Sequence, residues 1–160
     1  ARCHPDDIEQ AWEAIKVAKA SRIHVFTSTS EIHMEHMLRK TKEDILKDTR
    51  ESVKYAKKLC QDVEFSAQDA TRTDKDFLIE VLKIAVEEGA TTINVPDTVG
   101  YATPKDYLDL LQSVYEDVKG GNEDVIISTH CHNDLGLAVA NSLTAITAGA
   151  RQIELSLIHI

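Results

Sequence analysis

Several features are scarce in this sequence, and each scarcity closes off a class of function. No apolar run approaches the roughly 20 residues that cross a bilayer, so no membrane span is expected. Lysine and arginine number 18 against 27 acidic side chains and form no cluster of the kind that holds phosphate backbones. With a formal charge of −9, nucleic acid is not an expected partner. The three cysteines, Cys3, Cys60 and Cys131, are odd in number, lack CxxC spacing and accompany no signal peptide. They fit reduced thiols in a cytoplasmic protein better than a disulfide framework. Glycine-rich phosphate loops are missing too: Gly120 and Gly121 lie between Lys119 and Asn122 and read as a turn. No linker or low-complexity break divides the 160 residues, and a composition 42% hydrophobic and 28% charged is that of one globular unit. That length is short for a closed eight-unit α/β barrel.

What is present is a regular alternation. Apolar spacings of three and four predict helices over 5–20, 41–59, 74–88, 104–118 and 135–148. Between them, strands are expected near 22–27, 63–66, 92–95, 125–129 and 152–155. Strand starts recur at the length of one βα unit, so parallel strands with right-handed helical crossovers follow. Periodicity alone leaves two architectures open, a doubly wound sheet or a stretch of an eight-stranded barrel. The strand ends favour the barrel, where chemistry gathers at the C-terminal ends of strands. His24 with Ser28 and Ser30, then Ser66, Gln68 and Asp69, then Asn94, Asp97 and Thr98, then His130, His132, Asn133 and Asp134 all fall there.

The strongest chemical signal is Ile-Ile-Ser-Thr-His-Cys-His-Asn-Asp, residues 126 to 134. Successive strand side chains point to opposite faces, so His130 and His132 share a face and Cys131 points under a helix. Two imidazoles at i and i+2 can reach one metal ion or simply make hydrogen bonds, and a divalent site would need oxygen donors from other strands. His24 reads from its strand as a hydrogen-bonded core histidine, and His33 and His36 as solvated. Thr98 can be a turn residue or a substrate contact, and Thr71 to Asp74 a turn and helix cap.

Five stretches together resemble the 2-isopropylmalate synthases, part of the barrel-fold group that includes homocitrate and citramalate synthases and HMG-CoA lyase. They are Ala-Arg-Cys-His-Pro-Asp-Asp-Ile-Glu (1 to 9), Arg-Ile-His-Val-Phe (22 to 26), Val-Glu-Phe-Ser-Ala-Gln-Asp-Ala (63 to 70), Thr-Thr-Ile-Asn-Val-Pro-Asp-Thr-Val-Gly-Tyr (91 to 101) and Thr-His-Cys-His-Asn-Asp-Leu-Gly-Leu-Ala-Val-Ala-Asn (129 to 141). The resemblance implies an α/β fold, a partial TIM barrel holding strands three to seven of eight over residues 1 to 154. It implies that His130 and His132 bind a divalent cation, Mn²⁺ or Mg²⁺ with Zn²⁺ as a third candidate, and that His24, Ser66, Gln68 and Thr98 line the substrate pocket. It further implies a Claisen condensation of acetyl-CoA with 2-oxoisovalerate in leucine biosynthesis, by a cytoplasmic homodimer. Alternatives are a homocitrate or citramalate synthase fragment, or a non-catalytic half-barrel that associates through its open edges.

Three departures qualify the resemblance. The family's Asp-Arg-Glu segment of the first strand, which gives a metal carboxylate and an oxyanion arginine, has no counterpart here. Gln68 stands where an acidic residue is usual. After Glu154 the family's Gly-rich segment is replaced by Leu-Ser-Leu-Ile-His-Ile, so residues 155 to 160 are expected to be a non-native tail that reads as translated sequencing adapter. The chain is accordingly expected to be a truncated, inactive piece of the enzyme.

Overall fold

The structure, a computed structural model, describes residues 1–155; of the tail expected at 155–160, all but Leu155 lies outside the described residues. Its elements run α1 (Pro5–Ile15), β1 (Arg22–Ser28), α2 (Glu31–His33), α3 (Lys42–Leu59), β2 (Asp62–Gln68), α4 (Lys75–Glu87), β3 (Thr92–Asp97), α5 (Pro104–Val114), β4 (Ile126–Cys131), α6 (Ala138–Thr147) and β5 (Gln152–Ile153). Wide π-type turns at Met34–Leu38 and Tyr115–Lys119 extend α2 and α5. All the predicted helices and strands are present.

Local chemistry sets the boundaries. The hydroxyl of Thr41 and the carboxylate of Asp44 cap α3 reciprocally, and Asp74 and Thr103 cap α4 and α5 by accepting from the backbone three residues on. Two helices differ from expectation. Helix α1 stops at Ile15, because beyond it Val17 is 87% exposed and finds no core to hold another turn. Helix α6 starts at Ala138, not at 135: Gly136 takes the left-handed conformation (φ 74°) and the Asn133 side chain accepts the Ala138 N–H at 3.1 Å.

The five strands form one parallel sheet in sequence order, with His24 opposite Glu64, Ser66 opposite Asn94, Pro96 opposite His130 and Ser128 opposite Gln152. Arg2 adds a parallel bridge to Phe26 on the outer edge of β1. Odd-numbered strand residues, among them Ile23, Val25, Val63, Phe65, Ile93, Val95 and Ile127, are buried in the apolar core beneath the helices. Even-numbered ones, from Arg22 and His24 to Gln152 and Glu154, are mostly polar and face the other way.

That polar face decides between the two architectures. In a flat sheet, four inter-strand steps would hold β1 and β5 about 19 Å apart. Instead Arg22 on β1 donates to Gln152 on β5 at 2.6 Å, and Gln152 donates to Glu64 on β2 at 3.2 Å. The sheet is curled into an arc around its polar face, with helices outside. An open doubly wound sheet does not bring its edges together in this way.

Candidate functional site

The curl gathers side chains from every strand into one cavity of about 240 Å³, lined by His24 and Phe26 of β1, Ser66 and Gln68 of β2, Asn94, Pro96 and Thr98 at β3, His130 and His132 at β4, and Glu154 after β5. All six residues singled out from the sequence, His24, Ser66, Gln68, Thr98, His130 and His132, therefore meet in one place.

Each is held from its neighbours. The Ser66 hydroxyl meets His24 Nε2 at 2.6 Å and accepts from Asn94 Nδ2 at 2.8 Å. Burial pushes the pKa of His24 below its ordinary value, so its ring is neutral at neutral pH. Ser28 donates to Gln68 Oε1 at 2.5 Å, which leaves the amide's N–H groups to the cavity. Thr98 Oγ1 accepts the Asp69 N–H at 2.9 Å, tying the loop after β3 to the one after β2 while its own hydrogen stays free to donate. The predicted turn role of Thr98 is thus real, and it leaves a donor over.

His130 Nδ1 lies 3.1 Å from the Glu154 carbonyl. A carbonyl can only accept, so Nδ1 carries the proton and Nε2 keeps its lone pair, the tautomer a metal ligand needs. The His132 ring stands edge-on, 5.1 Å away between centroids, and the His132 N–H donates to the Asp97 carbonyl at 3.1 Å. Two imidazoles at one mouth suit a borderline divalent cation, which they would hold jointly with oxygen donors. Cys131 points away and meets Thr129 Oγ1 at 3.5 Å, as strand alternation requires. His33, expected to be solvated, is instead half-buried with Nδ1 3.2 Å from Ser28 Oγ and 3.5 Å from Asp69; His36 is exposed.

Sequence reasoning missed a carboxylate pair at and beside the cavity. Glu64 is 3% exposed, bonded by Arg22 Nη1 at 3.1 Å and by Gln152 Nε2, while Glu154 accepts from Ser128 Oγ at 2.9 Å. One ligand atom from each of His24, Glu64 and Glu154 lies within 4.8 Å of the others, the cluster of that kind found among the described residues. The signal was available: polar residues at most even positions of the five strands mean a polar inner face, and a carboxylate in the middle of it must be paired.

Burial first, and contact with Glu154 second, push the Glu64 carboxyl up to about 7. The unfolded chain gives up this proton near 4.5 and the fold keeps it until about 7, so the fold binds more protons between those values. Stability from this group is therefore full below about 4.5 and is lost as pH rises to about 7. Thermal melts in chelator at pH 5 and pH 8 check it. Glu64→Gln should flatten the profile and raise the midpoint at pH 8; identical profiles would reject the assignment.

Comparison with known proteins places this geometry. The HMGL-like family profile matches residues 1–160. A 2-isopropylmalate synthase of Clostridium kluyveri is 54% identical over 154 residues, 96% of this chain and 30% of that protein. One of Pyrococcus furiosus is 53% identical over 156 residues, covering 98% of this chain and 31% of that protein. The chain thus spans about a third of the length of these relatives. The structure of hydroxymethylglutaryl-CoA lyase from Pseudomonas aeruginosa superposes with a TM-score of 0.75 at 18% identity, over 92% of this chain and 50% of that one. With the family profile matched from end to end and the curled βα sheet shared with that lyase, the chain belongs to the HMGL-like family.

Proposed function

We propose that this chain is the middle of the catalytic barrel of a 2-isopropylmalate synthase, its strands β1 to β5 being the third to seventh of eight. The observation that carries the reading is the identity above 50% with proteins of that name along 96% of the chain, together with the one cavity that its six nominated residues share. The reaction is a Claisen condensation. The methyl group of acetyl-CoA loses a proton, the carbon formed attacks the ketone of 2-oxoisovalerate, and hydrolysis of the thioester makes the step irreversible. The protein acts in the cytoplasm as a homodimer.

In this reading His130, through the Nε2 lone pair that its bond to the Glu154 carbonyl leaves free, holds the cation together with His132. A divalent ion bound there supplies Lewis acidity to the keto oxygen. Thr98 donates its free hydroxyl hydrogen to the keto acid, His24 and Ser66 fix the position of its carboxylate end, and the Gln68 amide donates where a carboxylate would accept. Neutral His24 avoids adding a cation that would compete for the same anion.

The intact enzyme should prefer 2-oxoisovalerate to pyruvate and 2-oxoglutarate in steady-state turnover. A preference for either of the others would assign the chain to citramalate or homocitrate synthesis instead. In that enzyme Thr98→Ala removes one donor and should cost about 0.5 to 1.5 kcal/mol in kcat/KM for the keto acid. Unchanged kinetics would leave Thr98 only its bond to Asp69. Gln68→Glu restores a group that can take a proton and should raise turnover by about tenfold or more; equal or lower activity would show that the amide serves as well.

A further inference from the structure

The inner face carries more negative charge than it neutralises. Glu154 lines the cavity and Glu64 offers an oxygen within 4.8 Å of it, while the cation bonded to Glu64, Arg22, is already shared with Asp62 at 2.8 Å. Two carboxylates thus share one guanidinium, and Glu154 has no ion pair among the described residues. Gln152 and Ser128 donate to the two glutamates, but a carboxylate offers about four lone-pair sites and these bonds leave several free. Buried carboxylates at such distances take up a proton or a cation.

A separate observation points to the cation. Asn94 is 2% exposed and its Nδ2 is spent on Ser66, yet its Oδ1 is buried with no hydrogen-bond partner. An orphaned buried acceptor costs about 1 to 3 kcal/mol unless something meets it. Asn94 lines the same cavity as His24 and Glu154, and Ser66 links it directly to His24. An imidazole nitrogen and two carboxylate oxygens within 4.8 Å of one another form a mixed oxygen and nitrogen donor set, which suits a borderline divalent transition metal, and the Asn94 amide oxygen on the cavity shared with His24 and Glu154 is a further donor offered to it.

We infer that His24, Glu64 and Glu154, with the amide oxygen of Asn94, form a cation site for Mn²⁺, Co²⁺ or Zn²⁺ on the inner face of the sheet, separate from the His130 and His132 pair. It draws on β1, β2, β3 and the end of β5, so an ion there ties the edges of the arc together. The inference does not depend on the acyltransfer chemistry, since it concerns binding by this chain alone.

The test uses the untagged chain, stripped of metal. Co²⁺ titration followed by d–d absorption, and Mn²⁺ titration by calorimetry, should each give saturable binding of one ion, and added Mn²⁺ should raise the melting midpoint. Glu64→Gln and Glu154→Gln should each weaken the ion by about tenfold or more and abolish the rise in melting midpoint. Each amide keeps the shape of the carboxylate it replaces, and circular dichroism verifies that folding is kept. His130→Ala is avoided as a control, since His130 Nδ1 holds the Glu154 carbonyl at 3.1 Å. His132→Ala removes the other half of the histidine pair, and the ion that Glu64→Gln weakens should persist in it. Absence of saturable binding, or binding untouched by Glu64→Gln, overturns the site. Binding lost in His132→Ala and kept in Glu64→Gln also overturns it and assigns the ion to the histidine pair.

Discussion

The purified chain is expected to convert no acetyl-CoA with 2-oxoisovalerate above background. The resemblance to the 2-isopropylmalate synthases implies an oxyanion arginine and a metal carboxylate on a first strand that this sequence does not match, and one missing oxyanion contact alone typically costs about 10²- to 10³-fold in kcat. The histidine pair then supplies two neutral ligands, and an ion held by two imidazoles keeps most of its water and binds weakly. The outer face of α6 adds a second expected result. Val139, Leu143 and Ile146 recur at spacings of four and three and are 73%, 59% and 45% exposed, with Leu135 beside them at 58%. An apolar stripe of this size on a helix favours association. Light scattering on the purified chain should therefore give a mass above 17.8 kDa, with protein that elutes broadly. Thioester cleavage that depends on the keto acid, measured with free thiol as the readout, would sink the claim of an incomplete site.

How much of this was legible beforehand differs between fold and site. The βα alternation was plain, because caps such as Thr41 and Asp74 and apolar spacings of three and four are local signals. The two helix ends that moved did so for reasons outside local propensity: no core lies beyond Ile15, and Gly136 with Asn133 begins α6 late. Curvature was legible only indirectly, through the polar strand ends that favoured a barrel over a flat sheet. Nothing in the spacing of Arg22 and Gln152 says that residues 130 apart share a hydrogen bond; only the closed arc brings them together.

Within the site, legibility followed position along the strand. His24, Ser66, Gln68, Thr98, His130 and His132 were nominated because strand ends are where barrels keep their chemistry, or because the family motif marked them. Glu64 escaped notice since it sits mid-strand, in a register opposite His24 that no sequence pattern gives. The double duty of Thr98 was equally hidden. A turn role and a substrate role look like competitors in the sequence, yet one lone pair serves Asp69 while the hydrogen is left over.

The most sensitive single position of the candidate site outside its lining residues should be Gly100. The loop after β3 supports the His132 segment through backbone bonds: Asp97 O accepts from His132 N–H at 3.1 Å and Gly100 O from Leu135 N–H at 3.3 Å. Asp97 anchors that loop from within, accepting from Thr71 Oγ1 at 3.0 Å and Ala102 N–H at 3.1 Å. Gly100 itself is left-handed (φ 63°), and a Cβ there would stand 2.7 Å from Asp134 N and 3.0 Å from the His132 carbonyl carbon. The obstacle is backbone, so Gly100→Ala must displace the residues just beyond the histidine pair. Gly121 provides the control, being left-handed (φ 85°) with nothing within 4 Å of its added Cβ. Gly121→Ala should show the conformational penalty alone, about 1 to 2 kcal/mol of stability, with turnover of the intact enzyme unaffected. Gly100→Ala should lose more stability than this and, since a misplacement of about 1 Å can cost about 10²-fold, should lower kcat/KM of the intact enzyme on that order. Chemical denaturation and steady-state kinetics on the two variants make the comparison. Equal losses in both would mean that the loop after β3 does not position His132.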